Sequence, residues 1–284
     1  MNVDAAKTLL AVKNDQHLEE EWAYMYRHAP LFLDRWEAVD HLQTSPTPLA
    51  RAVMQEALAD KSWAIRLAAL QKADMSQAAV LAQVAKMAEN DPEPGVRATA
   101  IQNLGQTNDT QYVPIFQKSM TGEQPYSVLG AALGALSKID AVAAIAAAKN
   151  LENDDNESIV LTLAQLYAEH PSASMLPWFQ KNAVKIDNMA AFGFYDAYSK
   201  CLTGLNDPAA IDQAVSGFKV VSYDGSTSLW RRFANTKAIA DLRNHYLEAA
   251  NKDKADELSK LLADIREKET DPTLKLYYSM FDQP

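Results

Sequence analysis

Apolar residues recur along this chain at spacings of three and four, and short clusters of turn-forming residues interrupt them at fairly even intervals. The clusters are Thr44-Ser45-Pro46-Thr47-Pro48, Asp91-Pro92-Glu93-Pro94-Gly95, Asn153-Asp154-Asp155-Asn156 and Asn206-Asp207-Pro208. Between them the pattern is that of amphipathic helices. In residues 65–70, Ile65, Ala68 and Ala69 form one stripe and Leu70 widens it. Alternation of the kind a strand requires is almost absent, with residues 218–223 the best candidate for one. The pattern predicts an all-α chain.

The helices repeat. Arg35-Trp36-Glu37-Ala38-Val39, Arg66-Leu67-Ala68-Ala69-Leu70 and Arg97-Ala98-Thr99-Ala100-Ile101 align without gaps, and their arginines stand 31 residues apart. Asp60 and Asp91, six residues ahead of the second and third arginines, are placed to cap the helices that follow. The pattern weakens but continues over 129–133 and 161–164. A second helix is predicted for each unit over 49–59, 77–89, 111–120, 141–150 and 174–184. One such pair cannot bury its own apolar face, so neighbouring pairs must stack into a continuous core. Ala68, Ala69, Ala100, Gly130, Gly134 and Ala135 are the small residues expected to let helices approach closely.

The Asp-x-x-Trp/Pro…Val/Ile-Arg-x-x-Ala-Leu/Ile signature resembles HEAT repeats, whose shorter HEAT-like relatives match the period better. The resemblance implies an α-α superhelix, a HEAT-like helical-repeat solenoid. Three regions are expected: a linker and first helix following an upstream domain over 1–27, HEAT-like helix pairs over 28–187, and C-terminal repeats with a cap over 188–284. The alternating Lys, Asp and Glu of 234–266 suit a polar end that stops further stacking.

Composition narrows the function classes. The 284 residues are 48% hydrophobic, enough for a large core. Acidic residues outnumber basic ones 37 to 27, a formal charge of −10, which argues against nucleic acid and anionic membranes as partners. A single cysteine, Cys201, excludes an internal disulfide framework and a Cys-based zinc cluster. The longest uncharged stretch, 124–137, has fourteen residues, short of the roughly 20 that span a bilayer. Residues 1–7 lack the basic region and apolar core of a signal peptide. Residues 3–13 read as the last strand or linker of something preceding them, so the chain is expected to begin inside a longer protein.

No catalytic constellation emerges. A helical zinc site needs two histidines four apart with a glutamate between them, and His17, His28, His41, His170 and His245 never show that spacing. His17-Leu18-Glu19-Glu20-Glu21 is half such a motif and reads as an acidic helix start. Asp40-His41 and Glu169-His170 are adjacent pairs that diverge by about 100° on a helix and would not meet. Asn153-Asp154-Asp155-Asn156-Glu157 is rich in oxygen ligands but lacks the Gly and Glu that a calcium loop needs, and reads as a capped turn. Cys201 reads as a small buried hydrophobe. Two segments could be functional surfaces. The aromatic block 22–32 is either an anchor for a preceding domain or the cap of the first repeat. Trp230-Arg231-Arg232 could grip a carboxylate through paired guanidinium donors, or lie on a solvated helix face. Catalytic, cofactor-binding and metal-binding residues are therefore all expected to be absent from this chain.

One further resemblance sharpens the expectation. His28-Ala29-Pro30-Leu31-Phe32-Leu33-Asp34-Arg35-Trp36-Glu37-Ala38-Val39 resembles the entry into the C-terminal helical domain of aminopeptidase N-like zinc metallopeptidases. Asn2-Val3-Asp4 and Leu9-Leu10-Ala11-Val12-Lys13 resemble the closing strand of the β-sandwich domain that precedes it there. The likeness covers residues 2–105. It implies a non-catalytic domain that covers the active-site cavity of a zinc aminopeptidase and governs substrate access. The zinc would sit in an upstream catalytic domain, and the partners would be that domain, the β-sandwich domain and, indirectly, a peptide substrate. The family's His-Glu-x-x-His and Gly-x-Met-Glu-Asn motifs do not occur here, so no catalytic residue is carried over, and any export signal would lie upstream. The alternative is a free-standing HEAT-like adaptor that binds a protein partner. A HEAT-like lyase of the bilin-attachment type is a weaker third reading, because the lone thiol reads as buried.

Overall fold

The computed structural model describes residues 16–281. The strand or linker expected over 3–13, the Asn2-Val3-Asp4 segment and the side chain of His17 lie outside the described residues. No strand occurs among the described residues, and contacts within the chain group it into two units, Met1–Asp140 and Ala141–Pro284.

The first unit holds eight α-helices among its described residues: α1 (Gln16–His28), α2 (Phe32–Leu42), α3 (Pro48–Ala57), α4 (Trp63–Gln71), α5 (Ala78–Asn90), α6 (Pro94–Gln106), α7 (Val113–Lys118) and α8 (Tyr126–Ile139). The turn clusters of the sequence set their ends. Thr47 accepts the Ala50 N–H at the start of α3, while Pro48 and Pro94 open α3 and α6, where a missing N–H costs nothing. Helices α2, α4, α6 and α8 pack on one another in order and form one layer, called here the arginine layer. The remaining four form a companion layer, in which α1 touches α3 and α5 touches α7. Ile65, Leu70, Ile101, Leu104 and Phe116 are fully buried between the layers.

Helices α6 and α8 approach closely: a Cβ on Gly105 would lie 2.7 Å from that of Ala135. Ala69, Ala100 and Ala135 are buried as their small size predicts. Gly134 is not at a close-packing position: it is exposed, and a Cβ there would meet nothing within 4 Å. The residue that needs to be small is Gly105, one turn beyond Ile101.

The second unit continues with α9 (Ala141–Ala148), α10 (Glu157–Glu169), α11 (Leu176–Ala183), α12 (Ala191–Leu205), α13 (Pro208–Tyr223), α14 (Leu229–Glu248), α15 (Lys252–Lys268) and α16 (Pro272–Tyr278). Helices α10, α12, α14 and α16 form the layer corresponding to the arginine layer, and α13 packs on α15 in the other. Asn206 ends α12 in the left-handed region (φ 51°), Asp207 then accepts the Ala209 and Ala210 N–H groups, and Pro208 opens α13. The core is aromatic. Phe179 stacks on Tyr198 at 4.7 Å, and Trp178, Phe194, Tyr195 and Phe218 meet around them at tilted and edge-on angles.

Two expectations fail in this unit. Residues 218–223 are the last turns of α13 rather than a strand: Ile211, Ala214, Phe218 and Ser222 are buried at helical spacing, and the β-branched Val220 faces solvent. Residues 234–246 are no polar end. Helix α14 is the most enclosed helix of the unit, burying Ala234, Ala238, Ile239, Ala240 and Leu242, because α12, α13, α15 and α16 all pack on it.

Candidate binding surface

The aligned arginines form joints between successive helix pairs. Arg66 donates from Nε and Nη2 to the two oxygens of Asp91 at 2.7 and 2.6 Å. Its Nη1 donates back to the Asp60 carbonyl at 2.9 Å. Arg35 repeats the arrangement one unit earlier, with Asp60 at 3.1 and 3.2 Å and the Ala29 and Pro30 carbonyls behind it. Arg97 keeps the backward bond, to the Asp91 carbonyl at 2.8 Å. Each buried guanidinium thus faces a bidentate carboxylate, the geometry in which such a pair is strongest.

Asp60 and Asp91 are not the helix caps expected of them. Their Oδ1 atoms accept the N–H groups of Ser62 and Glu93 two residues on, turning the chain before the helix, whose N-cap positions belong to Ser62 and Glu93. The forward link from arginine to an aspartate 25 residues later was missed in the sequence, although that spacing recurs for both pairs. The ladder stops at Arg97 because Gly122, at a positive φ of 71°, stands 25 residues further on. The second unit rebuilds the device once: Arg232 Nη1 donates to both oxygens of the buried Glu269 at 2.8 and 2.9 Å, and Glu269 accepts the Thr270 and Asp271 N–H groups. Of the two readings of Trp230-Arg231-Arg232, the solvated face fails for Arg232, which is buried and holds a carboxylate through Nη1 alone, and that carboxylate is the chain's own.

The remaining candidates take structural places. Asp40 accepts from the Gln43 amide, while the His41 ring stacks on Trp22 at 4.2 Å, so the adjacent pair does not meet. Glu169 closes α10, and His170 follows as its C-cap. In the oxygen-rich turn Asn156 caps α10, and Lys181, Lys185 and Asn188 bind Asn153, Asp155 and Glu157. Cys201 is buried, and burial pushes its thiol up to about 11. Among the described residues no three His, Cys, Asp or Glu side chains gather as metal ligands, and no helix is long and apolar enough to cross a membrane.

What the surface does offer is aromatic. The block 22–32 divides: Trp22, Ala23 and Tyr26 are core, whereas Tyr24, Leu31 and Phe32 are exposed. Burial, with Asp60 and Glu56 nearby, pushes the Tyr26 phenol up to about 12. Phe32, Trp63, Pro94 and Tyr126 are the first residues of α2, α4, α6 and α8, spaced 31, 31 and 32 residues apart. They occupy one register of the arginine layer, and the three aromatics are exposed, Trp63 by 52%. Trp36, one turn on from Phe32, extends the row. Trp63 and Pro94 fill the Trp/Pro position of the repeat signature, and Phe32, which lay outside it, stands one exact 31-residue step before Trp63.

In the second unit Phe192 and Trp230 hold the corresponding places as second residues of α12 and α14, with ring centroids 5.8 Å apart.

Paired helices in two layers, joined by an arginine–aspartate ladder, define the α-α superhelix of HEAT-like repeats. The comparisons agree. Residues 81–168 match the sequence model described as HEAT repeats. Among solved structures the chain is similar to YibA of Escherichia coli: 16% identity, 95% of this chain and 97% of that one covered, TM-score 0.55. Human deoxyhypusine hydroxylase, solved with glycerol, aligns at 12% identity over 93% of this chain and 95% of its own, but its TM-score of 0.37 is too low for any argument. No curated protein matches the sequence.

Proposed function

We propose that this chain is a HEAT-like scaffold that binds a protein partner through the arginine layer and carries no reaction of its own. The observation behind this reading is the row Phe32, Trp63 and Tyr126, exposed at equivalent helix starts and extended by Trp36 one turn on, where a solvated surface would carry charge. Tryptophan and tyrosine are the side chains that most often anchor interfaces, and large exposed apolar patches mark interaction sites. The net charge of −10 favours a polypeptide over nucleic acid as the occupant.

The full chain, used as bait in an extract of its source organism, should retain a stoichiometric protein that the Trp63→Ser chain releases. Equal recovery by both, or no stoichiometric protein at all, would contradict the reading. The purified chain should leave aminoacyl chromogenic substrates untouched with or without added zinc.

The finer reading, a lid domain of a zinc aminopeptidase, rests on the resemblance of residues 2–4, 9–13 and 28–39 and draws no support from the HEAT-repeat match or from the likeness to YibA. A His-Glu-x-x-His motif encoded in frame upstream of Met1 would favour it over the adaptor.

A further inference from the structure

Arg231 is the arginine of Trp230-Arg231-Arg232 that makes no ion pair among the described residues. Arg232 is buried against Glu269, but the Arg231 guanidinium reaches only the Val184 carbonyl, at 3.5 Å, and its Nε, closed off from solvent, has no hydrogen-bond partner. Asp224 is close enough for the Arg231 charge to favour its ionised form, yet its oxygens are taken by Ser226 and Thr227.

This cation borders an apolar shelf. Val184 and Met189, both 66% exposed, lie on the segment that leads into α12, and Trp230 is 40% exposed at the start of α14. From Trp230 the rings continue through Phe192 to Phe233 at 5.4 Å and on to the exposed Tyr277 of α16 at 5.8 Å. The shelf therefore crosses three successive helices of one layer, about 16–20 Å at ordinary helix spacing. That is the length of about 11–13 residues of an amphipathic helix.

We infer that this shelf docks a segment of a partner protein whose apolar side chains lie on Trp230, Phe192 and Tyr277 and whose Asp or Glu side chain pairs with Arg231. With Nε closed off and Nη1 turned to the Val184 carbonyl, Arg231 has Nη2 left to donate to an incoming carboxylate, and its charge beside apolar surface favours one. This inference rests on the scaffold reading and adds the chemistry of the partner.

The test is selection of a random 12-residue phage-displayed peptide library on the immobilised full chain. Enriched peptides should be apolar with one recurring Asp or Glu. They should bind Arg231→Glu and Trp230→Ala chains at least tenfold more weakly, and a Lys in place of their acid should restore binding to Arg231→Glu. Circular dichroism melting of both variants, expected to match the unmodified chain, separates a lost site from a lost fold. Peptides that bind Arg231→Glu as well as the unmodified chain, peptides enriched in Lys or Arg, no enrichment at all, or self-association of the chain through Trp230 would each overturn the inference. If peptides instead collect on Trp63 and Phe32, this inference fails while the scaffold reading stands. If neither peptides nor a captured partner appear, both fail.

Discussion

Single side chains decide how the pairs are joined. The Arg66–Asp91 pair is buried and bidentate, so removing one partner strands a charge in the interior. Asp91→Ala should lower the unfolding free energy by about 3–5 kcal/mol, whereas replacing both partners with apolar residues of similar size should cost much less. Denaturant unfolding followed by circular dichroism compares the two, and equal losses would show that the pair is not the joint. Tyrosines report through pH. Burial raises the phenols of Tyr26, Tyr198 and Tyr278 to about 12. A group whose folded pKa exceeds its unfolded value stabilises the fold while protonated, so this contribution is whole below about pH 10 and disappears as the pH climbs towards 12. Stability should begin to fall near pH 9, where the Cys201 thiol ionises on unfolding, and fall more steeply above 10 as the tyrosines join it, read by the same unfolding curves. Cys201, with its thiol pushed up to about 11, should resist a thiol-reactive dye at pH 8 in the native chain and react on unfolding. Arginine and aspartate at fixed spacing were plain in the sequence. Their pairing was not, because it joins one repeat to the next and a repeat read by itself shows only a cap.

Helices were the most legible part. The predicted second helices over 49–59, 77–89 and 174–184 meet α3, α5 and α11 within a few residues, because proline, threonine and asparagine at their ends have few other uses. The pattern misled where tertiary packing overrides it. Val220 and Val221 suggested a strand, and the many charges of 234–266 suggested an end, yet α14 runs through the centre of its unit with Arg232 neutralised by Glu269. Small residues misled similarly, since their size is legible but their direction is not. Gly105→Ala would drive a Cβ to 2.7 Å from Ala135 between two packed backbones, a strain of about 1–3 kcal/mol. Gly134→Ala meets open space within α8 and should stabilise the chain by about 0.5–1 kcal/mol. Thermal melting of the two variants should move in opposite directions, and a shared direction would refute the packing described for α6 and α8.

Across the molecule the chain is a series of helix pairs whose stability is distributed over its interfaces. The repeat class was legible from the 31-residue period and is matched by the HEAT-repeat model over 81–168 and by the fold of YibA. The candidate surface was only half legible: Trp63 and Phe32 stand one period apart, but nothing in a sequence says that both face solvent. The decisive measurement is the affinity of the captured partner, by titration calorimetry, for the unmodified chain and for two single variants, Trp63→Ala in the arginine layer and Lys86→Ala in the companion layer. The partner should bind Trp63→Ala at least tenfold more weakly and Lys86→Ala as tightly as the unmodified chain. Full affinity for Trp63→Ala with loss on Lys86→Ala would place binding on the opposite layer and contradict the account.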